Sequence, residues 1–341
     1  MEIRKCTPAD YPELLDVLND AFGFGRENEW FQKETTHCTP YPSQATAEEI
    51  GLHWICIIDG KIAGGLGAYP MDWVVSGADG QRYTISAYGI GQVCCLPEFR
   101  NRGVMSAMMK AAEADMRERG RSVGYLEGSR RRYGYFGYDF GGSAVIFRLD
   151  KKLLELTTSP GLVMRQAKLE DWPTINEACT AQPSYVVRSA RSWELQFSRT
   201  NMRWFIGESG SNKGYMCVRS DNMIVEIHGD PGILAAMLLD RANGLEEGKS
   251  LAVMHSAQNV MATPEGQMLT GAAGWVESYP NGLFVVLDAA QLLDELGINH
   301  TDMPAAIKES VARQLLNFTP LPEKRQYIQP LHAWIPKVDS I

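Results

Sequence analysis

A chain of 341 residues, 45% apolar and 22% charged, has the composition of a soluble globular protein long enough for two domains, and no apolar run approaches the ~20 residues that span a bilayer. The net charge of -8 argues against capture of nucleic acid, which needs clustered Lys and Arg, and suits a cationic amine better. Seven cysteines without a Cys-x-x-Cys pair outline neither a disulfide framework nor a zinc site, and the opening Met1-Glu2-Ile3-Arg4 lacks a signal-peptide pattern, so cytoplasmic residence is expected.

The segment from Ile3 to Leu14 resembles that from Met164 to Ile175: each has a short strand, an acidic residue (Asp10, Asp171), an aromatic, and Pro early in a helix, where its missing N–H costs nothing. Two copies of one fold are therefore expected. The first helix runs to about Phe22 and is followed by a polar and aromatic stretch, 23–42, holding Glu27, Glu29 and Trp30. His53–Ile58 and Lys61–Tyr69 read as a hairpin around Asp59-Gly60, a pair that tolerates the positive φ of a tight turn. Tyr83–Leu96 extends the sheet. Val104, Met105, Met108, Met109, Ala112 and Met116 recur at helical spacing up to Gly120, a natural stop. Ser122–Leu126 returns as a strand, and Ala144–Leu149 is expected to close the domain. The turn-rich Thr157–Gly161 sets a boundary near 160; the second copy runs to about 290, and 291–341 is a C-terminal extension that opens with a helix at Ala290–Leu296.

The passage Gln92–Met105 is a strand, a basic turn and a helix start. A helix amino terminus offers unpaired N–H groups and the positive end of its dipole, Gly103 lets backbone approach a phosphate, and Arg100 and Arg102 add charge. Gly-Lys-Ser/Thr is absent and the dinucleotide fingerprint is not matched, which leaves a coenzyme with a pyrophosphate.

The run Arg100-Asn101-Arg102-Gly103-Val104-Met105 resembles the Arg/Gln-x-x-Gly-x-Gly/Ala turn of GNAT N-acetyltransferases, with Met105 in place of the small last residue. Tyr133, Gly137 and Tyr138 match the family's Tyr-x-x-x-Gly-Phe/Tyr. The resemblance is greatest to the enhanced intracellular survival type, with its tandem second GNAT-like domain; those proteins end in a larger sterol-carrier-like domain than this chain has residues for. It implies a mixed α/β fold (an α+β mixed sheet) of two tandem GNAT-like domains: a catalytic one over 1–160 and a degenerate one over 161–290. It also implies acetyl-CoA as cosubstrate, with the turn from Arg100 to Ser106 on its pyrophosphate, strand amides of Val93, Cys94 and Cys95 along its pantetheine arm, and Tyr133 protonating the leaving thiolate. Glu27, Glu29 and Trp30 are its substrate-side candidates, and the terminal carboxylate of Ile341 its candidate base.

In the second copy Asp230-Pro231-Gly232 replaces the Arg-x-x-Gly turn, putting negative charge where a pyrophosphate would lie, so coenzyme binding is expected to be lost there. The six histidines show no metal-ligand spacing and no metal is expected. An amine substrate is the expected partner, nucleic acid and membrane are not, and a homo-oligomer stays open. The alternative function is a non-catalytic acyl-CoA-binding or sensing protein.

Overall fold

The computed structural model describes residues 1–34, 43–77, 79–156, 161–246, 249–257, 260–261 and 263–316. Strand β1 (Glu2–Lys5) and helix α1 (Tyr11–Ala21) are followed by short helices α2 (Trp30–Lys33) and α3 (Ala47–Ile50), then β2 (His53–Ile58), β3 (Lys61–Ser76), β4 (Arg82–Cys95), α4 (Val104–Glu118), β5 (Val123–Leu126), α5 (Arg130–Tyr133) and β6 (Asp139–Gly141). Next come β7 (Ala144–Leu149), α6 (Lys151–Glu155), β8 (Val163–Gln166), α7 (Trp172–Thr180), β9 (Ser184–Val186), α8 (Ala190–Ser198), β10 (Met202–Ser209), β11 (Asn212–Arg219), β12 (Ile224–Gly229) and α9 (Pro231–Asn243). The described chain ends through β13 (Leu251–Ser256), α10 (Pro264–Gly271), β14 (Ala273–Tyr279), β15 (Gly282–Val286), α11 (Ala289–Glu295) and α12 (Ala305–Leu315). None of these helices is long and apolar enough to cross a membrane.

The strands form two mixed sheets, in the orders β1-β2-β3-β4-β5-β15-β6, with β9 also on β3, and β14-β7-β13-β12-β11-β10-β8. The β2–β3 hairpin turns at Asp59 (φ 52°) and Gly60 (φ 76°), as its sequence predicts. The predicted repeat is visible atom by atom. Arg4 grips Asp10 through two bonds of 2.6 and 2.8 Å while the amide of Thr7 donates to the same carboxylate; Arg165 grips Asp171 at 2.6 and 2.7 Å and the amide of Lys168 donates to it.

One strand departs from its sequence reading. Ala144–Leu149 does not close the first sheet; it pairs with β13 and β14 in the second, and the first sheet receives β15 instead. Gly142-Ser143 carries the chain out, and Pro280-Asn281 carries it back. Because Gly282 pairs with Gly141 and Tyr279 with Ala144, β6–β7 and β14–β15 run antiparallel as one ribbon, half of it in each sheet. Short apolar strands such as AVIFRL and GLFVV fit either sheet, so their sequence does not choose the partner.

Helices α1 and α4 bury Leu14, Leu15, Leu18, Met108, Met109 and Met116 against the first sheet. Leu292, Leu293, Leu296, Leu315 and Leu316 of the extension pack on the same sheet beside Trp73 and Phe284, so the extension adds to an existing core. Each such buried leucine contributes roughly 1.5–3 kcal/mol relative to exposure. The second sheet has α6, α9 and α10 in one cluster and α7 and α8 in another.

Candidate active site

Strand β4 pairs with β3 out to Cys95, but with β5 only from Ala87 to Ile90. Beyond Ile90 the two parallel strands part, and among the described residues no strand takes the edge of Gly91–Cys95 on that side. The chain then makes a tight turn at Pro97–Phe99, anchored by buried Phe99, and passes through Asn101 (φ 64°) and Gly103 (φ 79°) into α4. Gly103 is the residue before the first turn of α4, and no side chain caps that helix. The first-turn amides and the positive helix end are thus left for an anion.

A cavity of 1040 Å³ opens at this point, lined by Val93, Cys94, Cys95, Arg100, Asn101, Gly103, Val104, Met105 and Ser106. Every predicted coenzyme contact is there except Arg102, whose guanidinium lies over the Phe99 ring at 5.7 Å. Ala21, Phe22, Phe99, Lys110, Arg132, Tyr135 and Phe136 complete the lining. The walls therefore carry Arg100, Lys110 and Arg132 and no carboxylate, in a chain whose net charge is -8. Among the described residues none of these three cations is paired with an acid. The site is large enough for a nucleotide coenzyme, with charge for phosphates and an apolar strand edge for a chain.

Sequence alone did not single out Lys110 and Arg132. Lys110 stands two helical turns below Gly103, a spacing that would have shown it; Arg132 reaches the cavity from a helix whose position depends on tertiary packing. Tyr133, the predicted acid, is buried, 6% exposed, with its ring against Gly128, and it is not one of the residues lining the cavity, although its neighbours Arg132 and Phe136 are. Burial raises the pKa of its hydroxyl, with Arg132 opposing, so the phenol keeps its proton at neutral pH. Cys94 is buried and its thiol is pushed up to about 12 by desolvation, which disfavours a thiolate nucleophile; Cys95 is raised by the same cause.

The predicted substrate-side residues do not line this cavity. Glu27 is exposed, Glu29 pairs with Lys33 at 3.1 Å, and Trp30 stacks on Phe24 with ring centres 4.6 Å apart and meets Phe31, whose ring also faces the Phe22 that does reach the wall. Glu127 accepts a 3.1 Å hydrogen bond from Tyr125. Ile341 lies outside the described residues. A polar group not foreseen adjoins the open edge: the Tyr69 hydroxyl lies 3.0 Å from both His53 Nε2 and Gln92 Oε1, and burial lowers His53 to about 4, keeping it neutral.

At the equivalent turn of the second sheet, β12 leads to Asp230, whose carboxylate accepts from the amides of Gly232 and Ile233 at 3.0 and 3.1 Å. The start of α9 is occupied by its own side chain.

Residues 2–141 match the model of the acetyltransferase (GNAT) domain. No curated protein matches the chain. Among solved structures it is similar to a GCN5-related N-acetyltransferase from Kribbella flavida (TM-score 0.63, 17% identity, 85% of this chain and 73% of that one). It is also similar to a probable N-acyltransferase from Enterococcus faecalis (0.62, 18%, 86% and 74%) and to Eis1 from Mycobacterium abscessus (0.56, 14%, 84% and 74%). At these identities the likeness is one of fold, and it extends across both sheets. Over residues 2–141 the chain carries an acetyltransferase domain of the GNAT type, a kind that uses acetyl-CoA as cosubstrate, and it is an acyltransferase.

Proposed function

We propose that the chain transfers the acetyl group of acetyl-CoA to a primary amine, of a small molecule, an aminoglycoside-like compound or a lysine, by direct attack at the β4–α4 cavity. The observation that carries this reading is the uncapped start of α4 opening on a cavity whose charged side chains are all cationic. Arg100, Lys110 and Arg132 and the amides from Gly103 to Ser106 bind the phosphates, and the edge of Val93–Cys95 aligns the pantetheine and polarises the thioester carbonyl. The amine nitrogen bonds to the carbonyl carbon, the C–S bond breaks, and the sulfur takes the proton that Tyr133 holds; the amine's surplus proton passes to solvent, and solvent returns one to the Tyr133 phenolate. The elevated thiol of Cys94 supports direct attack over an acyl-cysteine route. The acetyltransferase unit takes residues 1–141 and β15, while β7 and α6, expected within a first unit of 1–160, join the degenerate unit that runs on to Tyr279; that unit binds no coenzyme, since Asp230 fills its anion position.

The test joins coenzyme calorimetry to thiol release across a panel of amines. An amine-dependent release is expected, with Tyr133→Phe lowering turnover by about 10²–10⁴-fold at unchanged acetyl-CoA affinity. Full activity in that variant would remove Tyr133 from the chemistry. Tight binding with no release for any amine would favour the sensing alternative. Glu27→Gln with Glu29→Gln should raise the amine KM if the segment after α1 faces the acceptor; an unchanged KM would reject that role.

A further inference from the structure

We propose that His228, His255 and Glu265 form a binding site for one divalent transition-metal ion of the zinc class in the second unit. The proposal is independent of the acetyl-transfer reading. Parallel strands β12 and β13 pair only at Ile224 and Val253. Past that point they part, as β4 and β5 do, and the three residues occupy the opening: His228 near the end of β12, His255 near the end of β13, and Glu265 in the first turn of α10. One ligand atom from each lies within 4.8 Å of the other two, and all three residues are buried. Their distance along the chain is why no ligand spacing appears in the sequence.

The geometry points to a cation. His228 Nδ1 and Glu265 Oε1 are 3.1 Å apart, close to the ~3.3 Å edge of a tetrahedron whose ligands stand about 2.0–2.1 Å from zinc. A proton between them would also satisfy that pair, but it leaves His255 unexplained. His255 Nδ1 faces the Ser256 carbonyl at 3.2 Å; a carbonyl only accepts, so Nδ1 carries the hydrogen and Nε2 presents a lone pair. That Nε2 is buried and has no hydrogen-bond partner, in a residue 4% exposed. A backbone carbonyl fixing one imidazole nitrogen so that the other can ligate is the usual support for a metal-bound histidine. Two imidazoles and one carboxylate suit zinc, cobalt or nickel better than magnesium or calcium, which prefer all-oxygen shells. Bound there, the ion would tie β12, β13 and α10 together.

The test uses the tag-free full chain, stripped with a chelator and titrated with Co(II). One equivalent is expected, with the intense visible absorption of a four-coordinate ion, displaced by Zn(II) and untouched by millimolar Mg(II). His255→Ala leaves the His228–Glu265 contact in place and should weaken binding by about tenfold or more, with circular dichroism unchanged. Glu265→Gln, which keeps an acceptor for His228, should show the same loss and serves if the first variant does not fold. No uptake of Co(II) or Zn(II), or binding by folded variants equal to that of the parent, overturns the site.

Discussion

Two strand-to-helix turns built on the same repeat have opposite interiors. At β4–α4 the helix starts at a glycine, no side chain caps it, and the parted strands open on a cavity with three cations. At β12–α9 the helix starts at an aspartate that accepts two of its amides, and buried Glu226, His228 and His255 stand at the opening between the strands. The free amides of a helix start need hydrogen-bond acceptors, which a ligand or the chain itself can supply. The second copy keeps the fold by supplying its own, and in doing so gives up the place where a phosphate would sit.

The largest test of this contrast lies inside the second opening. Arg188 holds Glu226 at 2.5 and 2.9 Å, and Tyr215 donates to the same carboxylate at 2.7 Å, all out of water. Glu226→Ala leaves a buried guanidinium without its acid and should cost about 3–5 kcal/mol in chemical denaturation. A smaller loss would mean that water reaches this interior. In the first unit, Gly103→Asp imitates the second. A side chain there meets nothing within 4 Å, and Asp accepts positive φ better than most residues. Acetyl-CoA affinity, read by calorimetry, should fall about 10–100-fold, while uncharged Gly103→Asn should fall less. Equal losses would assign the effect to shape and not to charge.

Removing the second unit's cap is milder. Asp230→Ala should lower stability by about 1 kcal/mol, seen as a lower thermal midpoint, without creating an acetyl-CoA site. Coenzyme binding gained by that variant at the start of α9 would break the comparison. The smallest effect probes what the copies share. Arg4 holds Asp10 well below the usual carboxylate range, and Arg165 holds Asp171 down to about 2. Because the folded-state values are depressed, both contributions are complete above an unfolded aspartate's pKa of about 4 and fade as pH falls through the folded values. Asp10→Asn and Asp171→Asn should each flatten the acid limb of stability between about pH 4 and 2; an unchanged limb in either would set the two grips apart.

What was legible in the sequence was local. The hairpin at Asp59-Gly60, the helix from Val104 and its stop at Gly120 follow from turn chemistry and periodicity, and the Arg100–Ser106 turn follows from a strand, a basic loop and a glycine in order. The repeat was legible because its Arg–Asp grip lies within a few residues of chain. The rest was long-range. Nothing in Ala144–Leu149 states that its partners are β13 and β14, Arg132 meets the cavity through packing alone, and His228, His255 and Glu265 converge only once the second sheet has formed.

The shared ribbon also sets an order on biosynthesis. The first sheet pairs β5 with a strand that ends at Val286, so a nascent chain that has emerged only through β6 exposes an unpaired apolar edge where β15 belongs. The acetyltransferase sheet closes after most of the second unit has been made. A chain stopped near the midpoint would leave that edge of β5 without its strand, so the first sheet is completed by a segment made after nearly all of the second unit.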